Sequence, residues 1–323
     1  MSSLRLVFFG TAELACASLA ALADQAGWTI AGVVTQPDRP RGRDLRLQPP
    51  PVKVLATQLG LPVWQPQRAR DEGLLQTLRA AAPDLVAVAA YGQILPPPLL
   101  ALPRHGCLNV HASLLPRHRG AAPIQWALLE GDAETGVTIM RMDAGLDTGD
   151  LLSQETVPIR PEDDGQTLHD RLAALGARLL VKTIPPYLAG ELSPRPQPAQ
   201  GATYARKITK EDGRLDWRGA APALANRVRA FTPWPGAFTF LAGAPRPVLL
   251  KVWRAEPVAA SPSRPGTVLA ASKEGVLVAC GAGALRLTAL QREGGRRMVA
   301  AEFLAGHPLA VGQCLGEAAP PAT

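Results

Sequence analysis

Residues 106–123 read G-C-L-N-V-H-A-S-L-L-P-R-H-R-G-A-A-P, and residues 143–150 read D-A-G-L-D-T-G-D. The first stretch gathers an amide, an imidazole, a hydroxyl and a proline-fixed turn, and the second adds carboxylates, a set suited to polar chemistry more than to packing. Apolar and polar residues alternate over Leu108, Asn109, Val110 and His111. That is the period of a strand, so Asn109 and His111 share one face and can reach one ligand. A carboxamide offers two donor hydrogens and an acceptor, and imidazoles as a class exchange protons near neutral pH. Two donors aimed at one point suit the oxyanion of a carbonyl under attack. The same N-x-H spacing also describes a satisfied polar strand edge, and these residues alone leave both readings open. Beyond the strand, Pro116 holds Leu115 extended ahead of the basic turn Arg117-His118-Arg119-Gly120. Backbone amides and carbonyls in such a turn can clamp a flat heterocycle.

The elements that must position these residues are legible from apolar runs. Residues 4–9 form an apolar run broken by Arg5 and ending at Gly10, an Ala-rich helical stretch follows to about residue 25, and residues 29–34 form another run, apolar after Thr29. This β-α-β pattern recurs through a helix-like stretch at 72–81 and a strand at 85–90. It predicts an α/β domain built on a doubly wound, mostly parallel, Rossmann-like sheet. Ligands of such sheets collect beyond the carboxyl ends of the strands, where Phe9-Gly10-Thr11, Ala90-Tyr91-Gly92 and Asn109-Val110-His111 all fall. The G-x-G-x-x-G turn of a dinucleotide site is missing after Gly10. Residues 187–198 are Pro-rich and read as a linker. Beyond residue 204, strand-like pieces at 248–253, 266–269, 276–279 and 285–290 alternate with Gly, Pro and polar turns, the pattern of a small antiparallel barrel. The expected organisation is a first domain over 1–187, a linker over 188–204, a barrel domain over 205–315 and a disordered tail over 316–323.

A chain of 323 residues, 47% of them hydrophobic, has material for two cores. Its net charge of +7 is unevenly spread: residues 1–205 carry 18 Lys and Arg against 19 Asp and Glu, whereas residues 206–323 carry 16 against 8. A basic module beside a near-neutral one predicts a polyanionic partner such as RNA, although an Arg-rich composition alone can give the same balance. The four cysteines lack C-x-x-C spacing, which fits a reducing cytoplasm and supports neither zinc nor a disulfide framework. The opening M-S-S-L-R-L-V-F-F-G has no signal-peptide architecture, and no apolar run reaches the roughly 18 residues of a membrane span. Five histidines without H-x-x-x-H give no reason to expect a metal.

The run S-L-L-P-x-x-R-G-x-x-P after N-x-H closely resembles the signature of the folate-dependent formyltransferase family. Further blocks match in order: Phe9-Gly10-Thr11, T-Q-P-D-R-P at 35–40, P-V-K-V-L at 51–55, A-Y-G-Q-I-L-P at 90–96, G-D-A-E-T-G-V-T-I-M at 131–140, T-Y-A-R-K-I at 203–208 and R-A-F-T-P-W-P at 229–235. The resemblance spans residues 4 to about 315. It implies a catalytic trio of Asn109, His111 and Asp147, with Asp147 beside His111 in space, and an OB-like form for the barrel. It implies 10-formyltetrahydrofolate as formyl donor, for whose pocket Tyr91, Gly92, Ile94, Ser113, Leu114, Leu115 and Pro116 are the candidates. Within the family the chain is most similar to the branch that formylates initiator methionyl-tRNA, monomers that use an inserted loop against the acceptor arm. Here Arg39 and Arg43 on the Pro- and Gly-punctuated loop at 35–43, together with Lys207 and Arg214, are the expected phosphate contacts. The chain departs from the family pattern at Asp44-Leu45-Arg46, where relatives commonly carry Gly and lysines, at Ala12 in place of proline, and at His118. Sugar-nucleotide N-formyltransferases and formyltetrahydrofolate hydrolase domains share the trio without the basic loop. A catalytically inactive RNA-binding protein is the reading from outside the enzymes.

Overall fold

The computed structural model describes residues 4–41, 46–242 and 247–316. Arg43 and residues 317–323 of the expected disordered tail at 316–323 lie outside the described residues, whereas Gly316 is described. Two compact units emerge. The first holds residues up to Pro123, Glu134–Pro158 and His169–Arg206; the second holds Ile124–Ala133, Ile159–Leu168 and residues from Lys207 onward.

The chain begins β1 (Leu4–Gly10), α1 (Glu13–Ala23), β2 (Trp28–Val34), then a ribbon of β3 (Arg39–Arg41) and β4 (Arg46–Gln48). It continues α2 (Pro51–Gln58), β5 (Val63–Trp64), α3 (Glu72–Ala81), β6 (Leu85–Ala89), α4 (Pro97–Leu100), β7 (Cys107–His111) and β8 (Arg119–Gly120). After α5 (Pro123–Glu130) come β9 (Glu134–Arg141), β10 (Asp150–Pro158), α6 (Gly165–Leu188) and β11 (Tyr204–Ala205). Seven strands form one sheet in the order β10-β9-β7-β6-β1-β2-β5. The five from β7 to β5 run parallel, while β9 and β10 are antiparallel at one edge. The uninterrupted apolar runs become the central strands because a strand covered on both faces has no polar side to display. α3 packs through Leu74, Leu75, Leu78 and Ala81, one helical stripe. The winding reverses between β1 and β6, and the crevice beyond their carboxyl ends is where such a sheet leaves room for a ligand. The expected doubly wound sheet is therefore present; the antiparallel edge pair β9–β10 was not foreseen.

In the second unit, α7 (Ala221–Ala230) precedes β12 (Ala237–Leu241), β13 (Val248–Val258), β14 (Val268–Ser272), β15 (Gly275–Ala279), β16 (Ala284–Arg292), β17 (Met298–Val299) and α8 (Ala300–Gly306). The antiparallel order is β12-β13-β16-β15-β14, with β17 on β16. The segment after α8 closes this sheet: Thr267 pairs with Cys314 and Leu241 with Leu315. Leu315 N–H donates to Gly266 O at 2.8 Å and Gly316 N–H to Phe240 O at 2.9 Å, so one short segment bonds both edges. Closure leaves no unpaired edge in a small barrel. Its core includes Leu215, Trp217, Val252, Leu287 and Phe303, and the buried Trp217 indole donates to Thr239 Oγ1 at 3.0 Å. Among the described residues no helix is long and apolar enough to cross a membrane.

Leu315 is buried on that closing segment. Leu315→Ala is expected to cost the second unit about 2–4 kcal/mol in urea unfolding followed by Trp217 fluorescence. A loss under about 0.5 kcal/mol, the range of surface substitutions, would show that this segment does not hold the barrel shut.

Candidate active site

β7 is buried along its whole length, and its pleat sets Asn109 (9% exposed) and His111 (6% exposed) on one face. His111 Nε2 lies 2.9 Å from the carbonyl oxygen of His118. A carbonyl only accepts, so Nε2 carries the proton and Nδ1 is left for chemistry. Nδ1 turns toward Asp147, whose Oδ2 stands 3.7 Å away, an ion-pair separation longer than a hydrogen bond. Asp147 Oδ2 accepts from Gly120 N–H at 2.8 Å. Among the described residues, nothing hydrogen-bonds Asp147 Oδ1 or the Asn109 carboxamide. The structure thus brings His111 and Asp147 together, with Asn109 two residues back on the same strand face.

The turn after β7 is heavily cross-bonded. Ser113 O accepts from Thr138 Oγ1 at 2.7 Å, and Leu115 N–H donates to that same hydroxyl at 3.1 Å. Gln154 Nε2 donates to Leu115 O and to Thr138 Oγ1, both at 2.9 Å, and Ser113 Oγ donates to Arg117 O at 2.6 Å. Most polar groups of residues 113–117 are thus bonded inside the protein, a rigid frame in which Leu114 and Pro116 are half-buried. Thr138 and Gln154 escaped the sequence reading, although Thr138 stands in the quoted block at 131–140 as a polar residue inside an apolar strand.

The other folate candidates divide. Tyr91 is 2% exposed, and its ring packs edge-on against Phe9 at 5.2 Å within the core. Burial pushes its phenol up to about 12, and its hydroxyl has no hydrogen-bond partner among the described residues. An aromatic pocket wall was expected at Tyr91; the ring is a core residue. Gly92 and the 68%-exposed Ile94 differ. Among the described residues, none pairs with their backbone N–H or C=O groups, so this segment can offer a ring its polar edge. Gly92 has φ +83°, and a Cβ there would meet Gln36 Nε2 at 2.8 Å.

The basic loop is a two-stranded ribbon in which Arg39 pairs with Gln48 and Arg41 with Arg46. Its base is anchored by Asp38, which accepts from Lys53 Nζ at 2.8 Å and Gln65 Nε2 at 2.8 Å. Those hydrogen bonds, from Gln65 and then Lys53, hold the Asp38 carboxyl below its usual range. Exposed Arg39 donates to Gln36 Oε1 at 2.7 Å, and Gln36 Nε2 donates to Tyr91 O at 2.8 Å. Lys207 and Arg214 belong to the second unit; both are exposed, and the Arg214 guanidinium lies 5.7 Å over the Phe240 ring. No group of three or more His, Cys, Asp or Glu that could hold a metal occurs among the described residues.

Residues 4–184 match the family described as Formyl transferase, and residues 207–308 match Formyl transferase, C-terminal domain. A methionyl-tRNA formyltransferase from Geobacter sulfurreducens is 49% identical over 318 residues, covering 98% of each chain. One from Burkholderia vietnamiensis is 53% identical over 321 residues, covering 96% of this chain and 97% of that one. HypX from Aquifex aeolicus in complex with tetrahydrofolic acid aligns with TM-score 0.60 at 18% identity, over 96% of this chain and 48% of that one. An N-formyltransferase from Helicobacter canadensis in complex with folinic acid and dTDP-3-aminofucose aligns with TM-score 0.62 at 16% identity, over 91% and 100%. At such identities the structural likeness speaks for fold alone.

Two buried hydroxyls should respond oppositely to removal. Thr138→Val strips Leu115 N–H of its acceptor and is expected to cost about 1–3 kcal/mol, whereas Tyr91→Phe removes an unpaired hydroxyl and should leave stability level or raise it by up to about 1 kcal/mol. Denaturant unfolding of both variants measures this, and a loss above about 1 kcal/mol for Tyr91→Phe would contradict the core assignment of its ring.

Proposed function

This chain belongs to the formyl transferase family, and on that premise we propose that it moves the formyl group of 10-formyltetrahydrofolate onto the free amino group of initiator methionyl-tRNA. The product, formyl-methionyl-tRNA, serves translation initiation. Identity near one half along nearly the whole chain supports the activity. The observation that carries the residue roles is the approach of His111 Nδ1 to the Asp147 carboxylate beside Asn109.

The folate supplies the formyl carbon, and the amino group of the acceptor attacks it. A free α-amino group has a pKa of about 7.7–8.0, so an appreciable fraction is neutral near pH 7 and needs no covalent enzyme intermediate. The Asn109 carboxamide and a protonated His111 Nδ1 donate to the oxyanion that forms; Nε2, occupied by His118 O, takes no part. Asp147 holds the imidazole in orientation, and its open oxygen removes the ammonium proton after attack, directly or through water. A proton must also reach N10 as tetrahydrofolate leaves.

The exposed backbone at Gly92 and Ile94, with Leu114 and Pro116, lines the folate site, while Tyr91, Ser113 and Leu115 frame it from behind. Residues 1–187 form the catalytic domain, 188–204 connect, and 205–315 form an OB-like tRNA-binding domain, boundaries supported by the matches to 4–184 and 207–308. Arg39 and Arg43 contact the acceptor arm; Lys207 and Arg214 contact phosphates elsewhere on the tRNA. The enzyme works in the cytoplasm, where translation initiates, and as a monomer, as the resemblance to its family implies.

The deciding assay supplies 10-formyltetrahydrofolate with methionyl-tRNA, free methionine or an amino-sugar nucleotide. Formyl-methionyl-tRNA alone is the expected product; a formylated sugar, or formate released without acceptor, would overturn the tRNA assignment. His111→Ala and Asp147→Ala should each lower turnover by about 100-fold or more while tRNA still binds. Arg43→Ala should instead weaken tRNA use and reduce the salt slope of binding by about 1.

A further inference from the structure

Asp147 sits in the left-handed backbone region, φ 54°. Asp tolerates that region better than most residues but does not prefer it, so the surroundings must hold it there. The holding group is one amide. Gln197 Nε2 donates to the carbonyls of Asp147 and Gly149, each at 2.8 Å, bracketing the turn that carries the carboxylate. Its Oε1 accepts from Arg119 Nε at 3.0 Å and Arg119 Nη2 at 2.6 Å. Both donor hydrogens and both lone pairs of this carboxamide are used, the most it can make.

The attachment behind Gln197 is also firm. Two residues earlier, Arg195 pairs with Leu151 through bonds of 2.7 and 2.9 Å in both directions. Arg119 precedes Gly120, whose N–H holds Asp147 Oδ2, and Arg119 N–H itself donates to Thr203 O at 2.9 Å. Gly120 has φ +113°, and a Cβ there would meet Ala205 O at 2.8 Å, so only glycine lets β8 lie against β11. Short β8 therefore grips Asp147 twice, at the carboxylate through Gly120 and at the backbone through Arg119 and Gln197.

We propose that Gln197 is a positioning residue for formyl transfer: it fixes the turn of Asp147 so that the carboxylate faces His111. The kinetic part of this inference rests on the function proposed above; the structural part does not. Gln197→Leu keeps the size and removes all four hydrogen bonds, whereas Gln197→Glu keeps the acceptor for Arg119 and sets an oxygen against the two carbonyls. A misplacement of about 1 Å near reacting atoms costs on the order of 100-fold, so both variants are expected to lose about 10- to 100-fold in kcat with KM for both substrates within about twofold. In an Asp147→Asn background, adding Gln197→Leu should change kcat by less than about twofold, because a residue that acts through Asp147 has nothing further to lose. Unchanged kcat in the single variants, or a full multiplicative loss in the double variant, would overturn the proposal, including the case where only stability falls. Crystal structures of the two single variants give the second readout. The 3.7 Å approach of Asp147 to His111 should open and Asp147 should leave positive φ; retention of both in either variant overturns the proposal even if the wild-type chain formylates a different acceptor.

Discussion

Two polar side chains on a fully buried strand, one at its centre and one at its end, are the constraint from which the rest of the first unit follows. Leaving a buried amide or imidazole unpaired costs roughly 2–7 kcal/mol, so β7 is tolerable only if its surroundings accept what it presents. For His111 the acceptor is the carbonyl of His118, seven residues on, and the chain must fold back sharply to deliver it. That fold-back is held by groups from elsewhere: Thr138 and Gln154 from the antiparallel edge fix its first half, and Thr203 and Ala205 fix its second. Asn109 is left with the small exposure that chemistry on a substrate requires.

The result is a stiff centre beside a lightly tied periphery. Around His111 the loop groups are bonded close to capacity, which preorganises them and avoids reorganisation when charge develops. The cationic ribbon is anchored at its base by Asp38, Lys53 and Gln65, and exposes Arg39 and Arg46. Such a division suits a partner bound by many weak phosphate contacts and a reaction that tolerates little displacement.

Much of this was readable from residue order. The apolar runs at 4–9, 29–34 and 85–90 and the helical stripe at 72–81 carry their own period, and each became the expected element. The shared face of Asn109 and His111 follows from the pleat alone. The partners were not readable, because Thr138, Gln154 and Gln197 lie 16 to 78 residues from the groups they bond and hydrogen bonding across such gaps leaves no periodicity. The strand β9 was hidden partly by Gly136, which occupies an interior strand position because a Cβ would run into the carbonyl of Glu155. Tyr91 misled because an aromatic at a strand end packs inward or outward according to its neighbours. The Pro-rich stretch at 187–198 has the composition of a tether, and Arg195 and Gln197 within it, with Thr203 just beyond, also bond to the first unit. Composition reports how stiff a segment is and not what it lies against.

Barrel closure by Cys314 and Leu315 has a consequence for the order of events on the ribosome. The edges at β12 and β14 find their shared partner only after the 75 residues from Leu241 to Gly316 have been added. At about 5–20 residues per second that is about 4–15 s. Until then the edge of β12, joined from Ser272 onward by that of β14, stands open, the template that recruits other strands, and residues 314–316 act as its clasp.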